Sequence, residues 1–218
     1  MAISFVGAAA AAGTTLTLPT NYQSGDLMIM FAYTSTSVTP ATVPAGWTNW
    51  YALQTLNANT GIIGYKFAGP TGTETAGTWT GATQLAVGIY RGTRGSMTAS
   101  NGGNSNATIA VPAIGTTSVI ASGSDWRISV AGHVTATNVY VGPAGMTSRI
   151  SSPTNIYFGD SNGPANPDTG YGLLSWTVNA TSGWTGATIY LRAAKQEMNN
   201  FEQLKAQGGM SVTERPFR

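Results

Sequence analysis

One histidine, His133, and eight carboxylates, Asp26, Glu74, Asp125, Asp160, Asp168, Glu197, Glu202 and Glu214, are the groups in this sequence best placed to do acid–base chemistry. A nucleophile activated by a neighbouring base needs a proton acceptor near neutral pH. The lone histidine falls one place past an apolar, strand-like run, where a backbone or solvent partner is the simpler role. A histidine-rich metal site is excluded by count. A carboxylate pair for glycoside hydrolysis would have to come from the same eight acids. Asp26 and Asp125 each open such a run, however, where aspartate caps turns through its side chain. Asp160, Asn162, Asn166 and Asp168 offer oxygens to calcium, but their spacing is not that of an EF-hand and no bidentate glutamate follows. No Gly-Lys-Ser/Thr follows a strand to cradle a phosphate. Cysteine is absent, which removes disulfides and thiolate metal sites. Two triplets, Asn106-Ala107-Thr108 and Asn179-Ala180-Thr181, match a glycosylation acceptor but carry little weight without a leader. Trp47, Trp50, Trp79 and Trp184, if exposed, could stack on sugar rings; buried anchors of a β core are the plainer reading. The residues therefore nominate no catalytic group, no cofactor and no metal.

The totals say what kind of scaffold carries these groups. Of 218 residues only 8% are charged, against about a quarter in an average domain, while glycine numbers 28. Six Trp, nine Tyr and six Phe supply large buried area, so the chain is not a disordered one. The net charge of +2 comes from scattered basic residues with no cluster to neutralise a row of phosphates, which argues against nucleic acid. No run approaches the roughly 18 apolar residues of a membrane span. Met1-Ala2-Ile3-Ser4-Phe5-Val6 lacks a basic opening and reads as a first strand, not a secretory leader.

Along the chain the pattern is β throughout. Ile3 to Val6 and Thr14 to Leu18 are expected as short strands joined by an Ala8 to Gly13 linker, with Leu16 and Leu18 alternating with threonines. Leu27 to Tyr33 and Leu85 to Tyr90 are apolar on both parities and so want cover on both faces. Ile63, Tyr65 and Phe67 share one face of another strand. Trp126, Ile128 and Val130 alternate with Arg127, Ser129 and Ala131. Val139 with Val141, Ile156 to Phe158, Leu174 with Trp176 and Val178, and Ile189 with Leu191 complete the series. Residues 96–106, rich in Ser, Asn and Gly, are expected as a mobile surface loop.

Much of this occurs twice. Trp79-Thr80-Gly81-Ala82-Thr83 returns at Trp184-Thr185-Gly186-Ala187-Thr188, each ahead of a strand that ends on Arg91 or Arg192. Pro44-Ala45-Gly46 is answered by Pro143-Ala144-Gly145, and Asp26 by Asp125, both 99 residues on. A period of that length is too long for a solenoid repeat and suits a duplicated half-sandwich. The expected fold is an all-β, antiparallel, jelly-roll-like β-sandwich with internal pseudo-duplication. It spans residues 1–192 in two related halves, about 1–95 and 107–192. One sandwich is preferred to two tandem domains, because about 90 residues would bury the central strands poorly.

Residues 193–218 change character. Helix formers dominate to Ala206, with Ala194, Met198, Phe201 and Leu204 or Lys205 near one stripe, before Gly208-Gly209 stops the run. A helix of about 14 residues is marginal alone in water and should dock. Met198, Phe201 and Leu204, with Arg215, Phe217 and Arg218 of the tail, are the expected partner-anchoring residues.

The ordered set Ser24-Gly25-Asp26-Leu27, Pro44-Ala45-Gly46-Trp47-Thr48, Gly64-Tyr65-Lys66, Gly77-Thr78-Trp79-Thr80, Ile89-Tyr90-Arg91-Gly92, Ala131-Gly132-His133, Gly145-Met146-Thr147, Ser182-Gly183-Trp184 and Leu191-Arg192-Ala193-Ala194 resembles a widespread family of tailed-bacteriophage and prophage structural proteins with a β-sandwich module. The likeness runs in order over roughly residues 2–194 and brings no catalytic motif; the ending from Lys195 departs from it. It implies a non-enzymatic virion component. The leading expectation is a head decoration or cement protein on the virion surface. Its partners would be other virion proteins, the major capsid protein first, and it would assemble as a homotrimer. A tail-associated fibre, collar or host-contact protein, and a carbohydrate-binding module, are the alternatives.

Overall fold

The computed structural model describes residues 2–53, 58–70, 72–111, 125–135, 142, 144–150, 155–164 and 174–194. They form ten strands: β1 Ser4–Ala12, β2 Leu27–Thr34, β3 Thr48–Ala52, β4 Thr60–Phe67, β5 Gln84–Arg91, β6 Thr93–Val111, β7 Trp126–His133, β8 Thr147–Ser148, β9 Ile156–Asp160 and β10 Leu174–Ala193. Among the described residues there is no helix.

Two antiparallel five-stranded sheets result, in the orders β1-β5-β2-β4-β3 and β6-β10-β7-β9-β8. The second order is the first with every strand advanced by five, so the duplication is expressed as topology. Each sheet is built from consecutive strands, and the chain crosses between them at Gly92, whose positive φ of 78° lets β5 turn directly into β6. Leu27 pairs with Tyr90 in the first sheet as Trp126 pairs with Leu191 in the second.

The two-sided apolar strands are central, as their composition requires. All eight residues of β2 are buried. Leu27, Ile29, Phe31 and Tyr33 face the other sheet and pack with Ile128, Val130, Phe158, Ile189 and Leu191. Met28, Met30 and Ala32, with Leu85, Val87 and Ile89, face outward under a cover of Leu18, Tyr22, Trp47 and Trp79. The sheets meet closely at two glycines. A Cβ at Gly88 would lie 2.5 Å from the Phe158 ring, and one at Gly132 would overlap the ring of Tyr33. Strand β5 therefore lies over β9, and β2 over β7.

Several local expectations are corrected. Residues 96–106 are not a loop: they lie in β6 and pair with β10. Low strand propensity is overridden there by the ladder a neighbouring strand supplies. The Ala8 to Gly13 linker is largely strand, since β1 runs to Ala12 and pairs with β5 throughout. Thr14 to Leu18 is not a strand, although Leu18 still helps cover the outer core. The two Trp-Thr-Gly-Ala-Thr copies are not equivalent. The first forms a turn, with Gly81 at φ 92° and Ala82 N–H bonded to Trp79 C=O, whereas the second lies inside β10. Register aligns Gln84 with Thr185, five residues past Trp79 in one half and one past Trp184 in the other. Ala193, expected to open a helix, is the last residue of β10. Residues 195–218, and with them the expected helix and Met198, Phe201, Leu204, Arg215, Phe217 and Arg218, lie outside the described residues, as do Val139 and Val141.

Candidate functional site

The acids considered for chemistry are distributed by strand register, and each that is described lies at a strand end or beside a turn. Asp26, just before β2, is buried, and its carboxylate accepts the Gln23 N–H at 2.8 Å. That is the expected turn cap. It also receives a bidentate pair from Arg91 at the end of β5, Nε to Oδ1 and Nη2 to Oδ2, both 2.8 Å. Those hydrogen bonds hold the Arg91 guanidinium proton more tightly than usual. In the second half Asp125 is likewise buried, and its Oδ1 accepts the Ala193 N–H at 3.2 Å. Asp26 and Asp125 thus open strands of different sheets, and each is bonded to groups of its own half.

Asp160, at the end of β9 and one of the four residues whose oxygens could face calcium, is committed elsewhere. It is fully buried between the sheets and accepts four hydrogen bonds. Tyr90 OH donates to Oδ2 at 3.0 Å across the sandwich, and Arg149 donates through Nε at 2.8 Å and Nη2 at 2.6 Å. The Asn162 N–H closes the set at 2.8 Å. Arg149 also donates to Asn162 Oδ1 and lies 4.0 Å over the Phe5 ring, so β1 joins the same cluster. Burial, and then the Asp160 charge, push the Tyr90 phenol well above its ordinary value. Burial also opposes the charged Arg149, but hydrogen bonding and attraction from Asp160 outweigh it and raise its pKa. A carboxylate so saturated and dry has no lone pair to offer a metal or a substrate proton. Asn166 and Asp168 lie outside the described residues.

His133 closes β7, fully buried, with Nδ1 2.9 Å from the Thr135 carbonyl. Nδ1 must therefore carry a proton and donate it, which is the backbone-partnered role expected. Its nearest hydroxyl on the same face of β7, Ser129, is four residues away, roughly 13 Å along an extended strand, so the two cannot act as nucleophile and base. The duplication shows what is unusual here. Arg127, Ser129, Ala131 and His133 occupy the positions of Met28, Met30, Ala32 and Thr34, and Thr188 that of Val87. One half thus lines the outer face of its sheet with apolar side chains, where the other places Arg127, Ser129, His133 and Thr188 beside Ala131 and Trp184.

Glu74 is held below the usual carboxylate range first by its hydrogen bond to Lys66, with the Gly69 N–H helping. Lys66 sits 4.8 Å over the Trp47 ring, and Trp47 meets Trp79 edge-on at 5.5 Å. Beside them a shallow concavity of about 310 Å³ is lined by Leu16, Leu18, Pro19, Tyr22, Glu74 and Ala76. Its one charge is already neutralised by Lys66. Trp47, Trp79 and Trp184 are buried, and only Trp50 of the four considered for sugar stacking keeps a half-exposed ring, packed against Tyr65. Asn106 and Asn179 of the two glycosylation triplets fall within β6 and β10. Among the described residues no group of three or more His, Asp or Glu is gathered as metal ligands would be.

Sequence reasoning missed Arg91, Arg149 and Tyr90 as partners of these acids. No local signal marks them, because Arg91 and Tyr90 stand 65 and 70 residues from the carboxylates they meet. Comparison with protein-family models, with curated proteins and with solved structures gives no match to this chain.

Proposed function

We propose that this chain is a non-enzymatic structural protein of a bacteriophage virion, a head decoration protein that binds the capsid exterior as an oligomer. The observation that carries the reading is the use made of the buried acids. Asp26 ties β2 to β5, and Asp160 ties β9, the segment after β8 and the facing sheet together through Arg149 and Tyr90. Groups that an enzyme would keep open to a substrate serve here as internal ties, as suits a module that works by holding its shape under load. The ordered motif set, from Ser24-Gly25-Asp26-Leu27 to Leu191-Arg192-Ala193-Ala194, supports the same assignment through its likeness to virion proteins. The capsid shell is the partner, and residues 195–218 are the grip.

The test is the copy number in purified particles, measured by quantitative mass spectrometry against the major capsid protein, together with labelling by an antibody to the sandwich. Hundreds of copies spread over the head are expected. A handful of copies at one vertex or on the tail would assign the module to a fibre, collar or host-contact role, and absence from particles would overturn the virion reading.

A further inference from the structure

A sandwich of two open sheets has four edges, and natural proteins blunt such edges because each offers a row of unpaired backbone groups to another chain. Three of the four are managed here. Strand β1 has a register break between Phe5 and Gly7, where Asn21 donates to the Val6 carbonyl at 2.5 Å and Pro19 packs against Gly7. Strand β3 has five residues and its own break between Asn49 and Tyr51. Strand β8 has two residues.

The fourth edge is different. Strand β6 is 19 residues long, and among the described residues nothing pairs with its far side. From Met97 to Asn106 its ladder with β10 runs without a break; the two register shifts, between Leu191 and Ala193 and between Thr177 and Ser182, fall at the ends of that stretch. It contains no proline, lysine or acid, and its one charge is Arg94. Between Met97 and Asn106 the strand therefore has no bulge, no proline and no charge to prevent edge pairing.

We infer that the free edge of β6 is the self-association surface of this protein, and that its occupant is β6 of a second copy, paired antiparallel about a two-fold axis. Overlap of Thr98 to Asn106, all within the unbroken stretch, with itself centres the axis on Gly102. Arg94 lies beyond that stretch, so no like charges meet within it. Gly102, opposite the partner subunit's Gly102, puts no side chain where the two backbones come nearest. The second sheets of the two copies join into one continuous ten-stranded sheet. An edge pairs with itself only about a two-fold; a three-fold ring would need a second, different edge, and β1, β3 and β8 are short, broken or capped. The proposal therefore departs from a trimer and does not depend on the virion assignment.

Because the chain has no cysteine, a single introduced thiol reports the geometry. Gly102→Cys places two sulfurs across the axis, where facing Cα atoms of an antiparallel pair are about 4.5–5.5 Å apart, within disulfide range. Under mild oxidation the full-length variant should become a covalent dimer almost completely. Thr98→Cys alone should not, being paired with the partner subunit's Asn106, but a mixture of Thr98→Cys and Asn106→Cys chains should cross-link. Val38→Cys, at a position 57% exposed, sets the collisional background. Unmodified protein should sediment at twice its 22.5 kDa chain mass. A monomer, a trimer, or Gly102→Cys cross-linking no faster than Val38→Cys would each overturn the two-fold β6 interface.

Discussion

Replacing Arg149 with methionine tests whether the tie between the sheets is as tight as its geometry implies. Met keeps much of the side chain's bulk over Phe5 and removes the charge. Asp160 is fully buried and Arg149 has a side-chain exposure of 13%, so solvent cannot take over the lost contacts. Removing one partner of a buried ion pair costs about 3–5 kcal/mol, because it leaves an uncompensated charge in the interior. For a chain of this size each kcal/mol lowers the midpoint by about 2–4 °C, which puts the expected drop at roughly 6–20 °C. Urea and thermal unfolding followed by tryptophan fluorescence would measure it. Replacing the whole cluster, Arg149→Met with Asp160→Leu and Tyr90→Phe, should recover most of the loss, because no charge or hydroxyl is then left without a partner. If Arg149→Met lies within about 1 kcal/mol of the parent, the range of an exposed pair, the reasoning about burial is wrong.

Three other outcomes follow from the same packing. Gly88→Ala should cost about 1–3 kcal/mol through overlap with the Phe158 ring, and Phe158→Leu in the same chain should return part of it, measured by a double-mutant cycle in urea. Burial raises the phenols of Tyr33 and Tyr90 above their ordinary 10.0, so the stability they contribute is complete below about pH 10 and is lost as pH rises beyond it. Each should remove about 1.4 kcal/mol per pH unit, and at least two of the nine tyrosines should ionise at 295 nm only together with unfolding. Trp79→Ala should cost about 3–5 kcal/mol by emptying the outer core, while a glycan array probed with the parent protein stays silent; sugar binding lost on Trp47→Ala or Trp184→Ala in a still-folded chain would revive the carbohydrate reading.

The arrangement of the molecule divides cleanly by range. Strand character and two-sided burial were legible at Leu27 to Tyr33 and Leu85 to Tyr90, because apolar residues on both parities have only one comfortable place in a sandwich. The turn-capping role of Asp26 was legible from its type and position. Composition misled at β6: Ser, Asn and Gly read as loop, yet the ladder offered by β10 holds the same residues extended. Identity of letters misled at the two Trp-Thr-Gly-Ala-Thr copies. Gly81 turns the chain at positive φ, whereas Gly186 sits in β10 opposite Ala131, because position relative to strand pairing sets backbone conformation in each half.

By itself, then, the chain's own order of residues determined that it would be all-β, built twice over, and stabilised without cysteine, since periodicity and composition act locally and need no knowledge of what lies opposite. Which acid meets which arginine, which outer face takes in Arg127, Ser129 and His133, and which of the four sheet edges has no neighbour among the described residues were decided only when the two sheets closed on each other. Those outcomes depend on side chains and strands brought together from distant parts of the chain, and no local pattern encodes such distances.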